Sequence, residues 1–376
     1  MQNNEIQKMR NVYELEKDLK SIGDSEVDAD IQKILNKLIP NESKKLQYLR
    51  FKKGYSIEDL FMRIYSLLPW IKLITPLGQN QFPECSKKEL QVPDYEVIFE
   101  TGNKENICIL IEVKSVNGNK QNFELKKSQY KVLKEYSNKK NQPLLFAIFW
   151  KNKIKWTVNS IESFNDSKSS SFKLSFEDAY SNDLSAIFGD YTYIFNKNIY
   201  RKIEFIDSNI SEKEYVHIYD NKGIKYDGIS LNNKNFDKLD FFEVPVLDCS
   251  FDFDEIDKNK NSVIMQYNQK PLRMYRVTTL ILLYLLKMYL YNPESAEYNN
   301  KNSIVEYSFA IVDTVRRKCG GEKYYLLPFD IKDEIKILMK QQFGNVKHIF
   351  DVYVNKKREE AKRGEIIILV PHSIEK

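Results

Sequence analysis

Residues 93–116 read PDYEVIFETGNKENICILIEVKSV. Two apolar runs, Tyr95–Phe99 and Ile107–Val113, flank a short polar segment containing Gly102 and Asn103. That pattern predicts an antiparallel hairpin. The second run ends unusually for a buried strand: Ile109-Leu110-Ile111 is followed at once by Glu112, Val113 and Lys114. Strand side chains alternate, so Glu112 and Lys114 share a face. Asp94 opens the first strand, and antiparallel pairing sets the start of one strand beside the end of the other. Two carboxylates are therefore expected at one sheet edge, with the Val113 carbonyl beside them. The plainer alternative is a hairpin whose Glu112 and Lys114 are a solvated strand end.

Outward from the hairpin, "SIEDLFMRIYSLLP" carries Ile57, Leu60, Phe61, Ile64 and Leu67-Leu68 on one helical face and stops at Pro69. "WIKLITPL" predicts a strand. After the hairpin, 121–140 reads as an amphipathic helix with Phe123, Tyr130, Leu133 and Tyr136 near one face. "PLLFAIFW" predicts a buried strand, and "KIKWTV" a strand that hairpins with it. The order over 54–158 is helix, three strands, helix, strand. Serine-rich 166–187 reads as a linker or surface loop. Residues 1–53 read as a helical extension and 188–376 as a second, α+β domain. That domain contains short strands, an acidic loop at 252–261 and a long apolar helix near 275–291.

The chemistry at the hairpin edge is all oxygen. Asp94, Glu112 and a carbonyl suit a hard cation, Mg2+ or Mn2+. The four cysteines lack CxxC spacing and the three histidines lack ligand spacing, which argues against zinc or a disulfide framework and fits a reducing compartment. No leader is read at the start, and Lys287 interrupts the most apolar window below membrane-spanning length, so no membrane association and a cytoplasmic setting are expected. Net charge is only +5, but it is locally concentrated. Between 114 and 155 stand eleven lysines (114, 120, 126, 127, 131, 134, 139, 140, 151, 153 and 155), against Glu124 and Glu135. Such a surface attracts phosphates. Lys126, Lys127 and Lys131 are the expected nucleic-acid contacts; a solubilising face is the alternative.

Pro93-Asp94 followed by Glu112-Val113-Lys114 resembles the PD-(D/E)xK nuclease superfamily, the restriction-endonuclease-like fold. The resemblance spans about 105 of the 376 residues and leaves the C-terminal half unassigned. It implies an α/β core of mixed sheet: a helix, a three-strand meander, a second helix and a fourth strand beside the first, here within 54–165. It implies that Asp94 and Glu112 hold Mg2+ or Mn2+, with Glu58 and the Val113 carbonyl completing the shell. Lys114 would activate or position water, and Gln129, with Tyr136 behind it, would orient water or phosphate. The implied activity is metal-dependent endonucleolytic hydrolysis of DNA, RNA remaining open, leaving a 5′-phosphate and 3′-hydroxyl. A reader domain appended to such a core suggests restriction or phage defence, by analogy of fold. The alternative is a nucleic-acid-binding module, or a partner-activated nuclease subunit in transposition or repair. Cutting both strands of a duplex points to a homodimer, and the C-terminal domain to an activator or partner protein.

Overall fold

The computed structural model describes residues 57–78, 81, 83, 86, 88–101, 104–117, 122–166, 170–195, 197–206, 218–219, 222–267, 273–291, 301–327, 338, 342 and 368–371. The N-terminal extension, all three histidines and Cys85 lie outside them.

Helix α1 runs through 57–65 and is followed by β1 (Ile71–Pro76), β2 (Tyr95–Glu100) and β3 (Asn106–Val116), an antiparallel meander. After β4 (Asn122–Lys126) comes helix α2 (Lys127–Lys140), then β5 (Leu144–Trp150) and β6 (Lys155–Asn159). The sheet order is β1-β2-β3-β5-β6. This is the mixed α/β core expected, with one change: the fourth strand lies beside the third, parallel to it, and not beside the first. Parallel strands need a long crossover, and α2 supplies it across the face of β3. Because β3 and β5 have neighbours on both edges and packed layers on both faces, their central residues are apolar without alternation.

The pleat sorts those residues into two layers. Val97, Phe99, Ile109, Ile111, Val113, Leu145 and Ala147 share a core with Phe61, Ile64, Tyr65 and Leu68 of α1. The spacing in α1 is helical, and Phe61 stacks on Tyr65 at 4.4 Å between ring centroids. Leu110, Val116, Phe146 and Ile148 face the other way, against Leu133 of α2. The first core continues into the C-terminal half through Phe188, Tyr193, Leu280 and Tyr284.

Two sequence expectations are corrected here. The helix expected over 121–140 begins only at Lys127. Residues 122–126 alternate exposed and buried, with Phe123 and Leu125 inward, and form β4, which pairs with β8 (Ser171–Ser175); β7 (Asn165–Asp166) completes that small sheet. The linker expected over 166–187 holds β8, helix α3 (Phe176–Ser181) and the start of a 3-10 turn, Ser185–Phe188. Its serines and aspartates cap and turn. Ser175 Oγ accepts the Asp178 amide at 3.0 Å, the N-cap bond of α3. Leu184, Ala186 and Ile187 are buried in the first core.

The C-terminal half contains β9 (Thr192–Phe195), β10 (Ile199–Phe205), β11 (Ile218–Tyr219), β12 (Lys222–Ser230) and β13 (Asp237–Lys238). Helix α4 (Glu243–Ser250), β14 (Asp254–Lys258), β15 (Ser262–Tyr267) and β16 (Arg273–Arg276) follow. The chain then forms α5 (Val277–Tyr291), α6 (Lys301–Lys318), β17 (Glu322–Leu327) and β18 (Ile368–Pro371). The acidic stretch at 252–261, expected as a loop, is largely the edge strand β14 and its turn into β15. Its carboxylates face solvent along the strand, as suits an unpaired sheet edge. The apolar helix near 275–291 is present as α5, and its Val277, Leu280, Ile281 and Tyr284 are buried. Among the described residues no helix is long and apolar enough to cross a membrane.

A buried carboxylate ties the segment before β9 to the start of α5. Asp190 Oδ1 accepts the Thr278 amide at 2.9 Å and Oδ2 the Thr278 hydroxyl at 2.8 Å, at the start of α5. Burial pushes the Asp190 carboxyl up to about 7 despite these hydrogen bonds. The folded chain therefore keeps a proton that the unfolded chain releases near 3.8. With a raised folded pKa, this contribution to stability is complete below about 4 and is lost as pH rises to about 7, on the order of 4 kcal/mol over that window. Asp190→Asn keeps an acceptor for the Thr278 amide and cannot ionise. Its urea midpoint, relative to the parent, should climb with pH between 4 and 7; a flat difference would show that Asp190 does not titrate there.

Candidate active site

The site is assembled at the β2–β3 end of the first sheet. Register pairs Tyr95 with Ile111, so one further step sets Asp94 opposite Glu112. Asp94 Oδ2 accepts the Val113 amide at 2.7 Å. Its own carbonyl accepts the Leu77 amide at 2.9 Å. The preceding loop is tied to α2 by the Gln91 amide, which donates to the Val132 carbonyl at 3.0 Å. Asp94 is thus locked between β1, β3 and α2.

Glu112 is 1% exposed and Asp94 7%. Lys114 Nζ donates to Glu112 Oε1 at 2.5 Å and to the Val113 carbonyl at 3.1 Å, and lies 4.0 Å from Asp94 Oδ2. The three groups converge on one another, and the two carboxylates are buried at the strand end while Lys114 keeps part of its side chain in solvent. Burial pushes the Glu112 carboxyl upward; the Lys114 ammonium opposes that and the Asp94 charge adds to it. Burial alone would lower the Lys114 ammonium, but Glu112, Asp94 and Glu58 outweigh it and hold lysine above its usual range. At neutral pH Lys114 is a charged donor and not a free base.

The oxygens fit a hard cation. Glu112 Oε2 is buried and has no hydrogen-bond partner, which is costly unless some other group satisfies it. Asp94, Glu112 and the Val113 carbonyl are the donors Mg2+ or Mn2+ prefer. The fuller shell expected with Glu58 is not assembled: among the described residues no three Asp, Glu, His or Cys groups come together as a cation site. The reason is layer geometry. α1 packs on the first face of the sheet, whereas Glu112 and Lys114 alternate with Leu110 and Val116 onto the second. Glu58, partly buried in α1, reaches Lys114 through its field.

Gln129 lies one turn before Leu133, on the stripe of α2 that meets the second face, and is partly buried. Tyr136 packs against the same cluster. The three lysines diverge. Lys126 and Lys131 are exposed. Lys127 Nζ pairs with Asp166 Oδ1 at 2.6 Å and sits 5.4 Å from the Phe172 ring centroid, which makes it a tie between α2 and the small β4-β8-β7 sheet. Asp166 gives no signal in the sequence; it reads as one more polar residue before a serine run.

No protein-family model matches the chain, and no curated protein does. Among solved structures it is similar to Hjc, a Holliday junction resolvase from the archaeal hyperthermophile Archaeoglobus fulgidus. The identity is 16% and the TM-score 0.24, over 32% of this chain and 88% of that one. A TM-score of 0.24 is too low for the likeness to bear on what this chain does.

Proposed function

We propose that this chain is a metal-dependent nuclease that hydrolyses phosphodiester bonds in DNA, with Asp94, Glu112 and Lys114 as its catalytic residues. One observation carries the reading: a buried Asp–Glu pair and a strand carbonyl converge on one charged lysine, with a carboxylate oxygen left without a hydrogen bond. Asp94, Glu112 and the Val113 carbonyl would hold Mg2+ or Mn2+, which when bound would lower the pKa of water and offset charge on the scissile phosphate. Lys114 contributes a positive charge that favours the extra negative charge of the transition state and donates a hydrogen bond to water or phosphate. Gln129, from the facing helix, orients water or a phosphate oxygen. Glu112 and Asp94, with a smaller contribution from Glu58, keep Lys114 protonated. The buried floor of Leu110, Phe146 and Leu133 excludes bulk water from beneath the carboxylates.

Within this reading the enzyme is an endonuclease acting as a homodimer in restriction or phage defence, and the C-terminal half selects sequence or receives an activator. The partner-activated alternative draws on a specific observation. Only two carboxylates converge among the described residues, so a partner or the nucleic acid itself would complete the site.

Nucleic-acid contact is assigned to Lys126 and Lys131, with Lys127 contributing through its tie to Asp166. Lys126→Glu combined with Lys131→Glu should weaken DNA binding uniformly across sequences. The slope of log affinity against log salt should become shallower by about 0.9 per lost contact. An unchanged slope in a fluorescence anisotropy titration would remove both lysines from the interface. The activity itself is tested by plasmid and oligonucleotide cleavage with Mg2+, Mn2+ or EDTA, beside variants of Asp94, Glu112 and Lys114.

A further inference from the structure

We propose that the Lys114 ammonium is a built-in counter-ion that competes with the divalent cation for the same oxygens, so that loading metal requires Lys114 to swing outward. The inference rests on the nuclease reading of this site and deepens it.

Three distances carry it. Nζ is 2.5 Å from Glu112 Oε1, 3.1 Å from the Val113 carbonyl oxygen and 4.0 Å from Asp94 Oδ2. These atoms belong to the three groups that would hold a hard cation, and Glu112 Oε2, which has no hydrogen bond, is the carboxylate oxygen beside them that Lys114 leaves open. Oxygen ligands to Mg2+ stand at about 2.1 Å, so an ammonium and a dication gathered by the same oxygens would sit within contact of each other. Like charges that close repel strongly in a buried site.

The mobile partner is identified by exposure. The Glu112 and Asp94 side chains are 2% and 5% exposed and that of Lys114 is 27%. Asp94 is also pinned by the Val113 amide. Lys114 has a flexible four-carbon stem with a path to solvent, and the carboxylates do not. The ion pair has a second consequence. Without metal it sets a positive charge against the two buried carboxylates.

The experiment needs no DNA. Mn2+ affinity is measured by calorimetry for the intact chain, Lys114→Met and Lys114→Arg, with Asp94→Asn as the site control. Lys114→Met removes the competitor and should bind Mn2+ at least about tenfold more tightly than the intact chain. Lys114→Arg, which restores a cation, should return toward the parent. Equal or weaker binding by Lys114→Met, with binding still lost in Asp94→Asn, overturns the competition while leaving the metal site standing. No Mn2+ binding by any of the proteins overturns both. Should Lys114→Met fail to fold, the intact chain gives the answer by amine acetylation and peptide mass analysis. Labelling of Lys114 should rise several-fold when Mn2+ is added, and an unchanged rate refutes the outward swing.

Discussion

Asp94→Asn and Glu112→Gln are each expected to abolish the proposed metal-dependent DNA cleavage, a loss of at least ~10³-fold, and Lys114→Ala to reduce it by ~10²–10³-fold. Each substitution isolates charge from shape. An asparagine carbonyl at position 94 can still accept the Val113 amide, the 2.7 Å bond that sets the hairpin end, so its effect reports the lost carboxylate and not a displaced strand. Glutamine at 112 leaves the β3 backbone in place and removes the nearest anion to Lys114. Alanine at 114 removes the only side chain whose ammonium touches both Glu112 and the Val113 carbonyl among the described contacts. Initial rates on plasmid DNA with Mg2+ or Mn2+ measure the loss, and circular dichroism with urea midpoints confirms that the variants are folded. Cutting that survives all three substitutions sinks the assignment. An intact chain that never cuts, yet binds DNA, points to the partner-activated reading.

The largest expected effect on stability lies elsewhere, at Asp183. Its Oδ1 accepts the Val158 amide at 2.5 Å, the Ser185 amide at 3.2 Å and the Ser185 hydroxyl at 2.8 Å, and its Oδ2 pairs with Arg276. Arg276 is 5% exposed and stacks 4.6 Å from the Tyr180 ring centroid. One carboxylate thus joins β6, the turn after α3, and β16, which leads into α5. Asp183→Ala leaves two buried amides without an acceptor and a buried guanidinium without its anion. The expected loss is roughly 3–5 kcal/mol, a large part of the ~5–15 kcal/mol typical of a folded domain. It should appear as a lower urea midpoint, with cleavage per folded molecule little changed. Because an uncompensated buried charge is costly, adding Arg276→Met to Asp183→Ala should recover the part of the loss that comes from the guanidinium and leave the part that comes from the Val158 and Ser185 amides. A single variant within 1 kcal/mol of the parent would mean that the pair is hydrated in solution.

Much of the core could be read from local pattern. The period-two alternation around Gly102-Asn103, the helical spacing from Ile57 to Leu68, and the apolar run Leu144–Trp150 each specify an element by themselves. The candidate carboxylates follow from the hairpin register, because antiparallel pairing fixes which residues oppose one another. Where the reading failed, local signals were present but ambiguous. Asn122–Lys126 alternates like a strand, yet it runs directly into helical spacing, and only its partner Ser171–Ser175, some fifty positions away, decides between them. The serine-rich segment reads as solvent-exposed because Ser, Asn and Asp serve loops, caps and buried turns equally well.

The chain's local order therefore determines the hairpin, the helix before it and the residue types at its end, since these depend on neighbours along the backbone. Tertiary structure alone decides the rest. It places the fourth strand beside the third, sets Glu58 on the far layer from Glu112, binds Lys127 to Asp166 and buries Asp183, Asp190 and Arg276. Each of these depends on which distant surface excludes water, and burial, which sets both charge state and partner, is not encoded in the identity of any one residue.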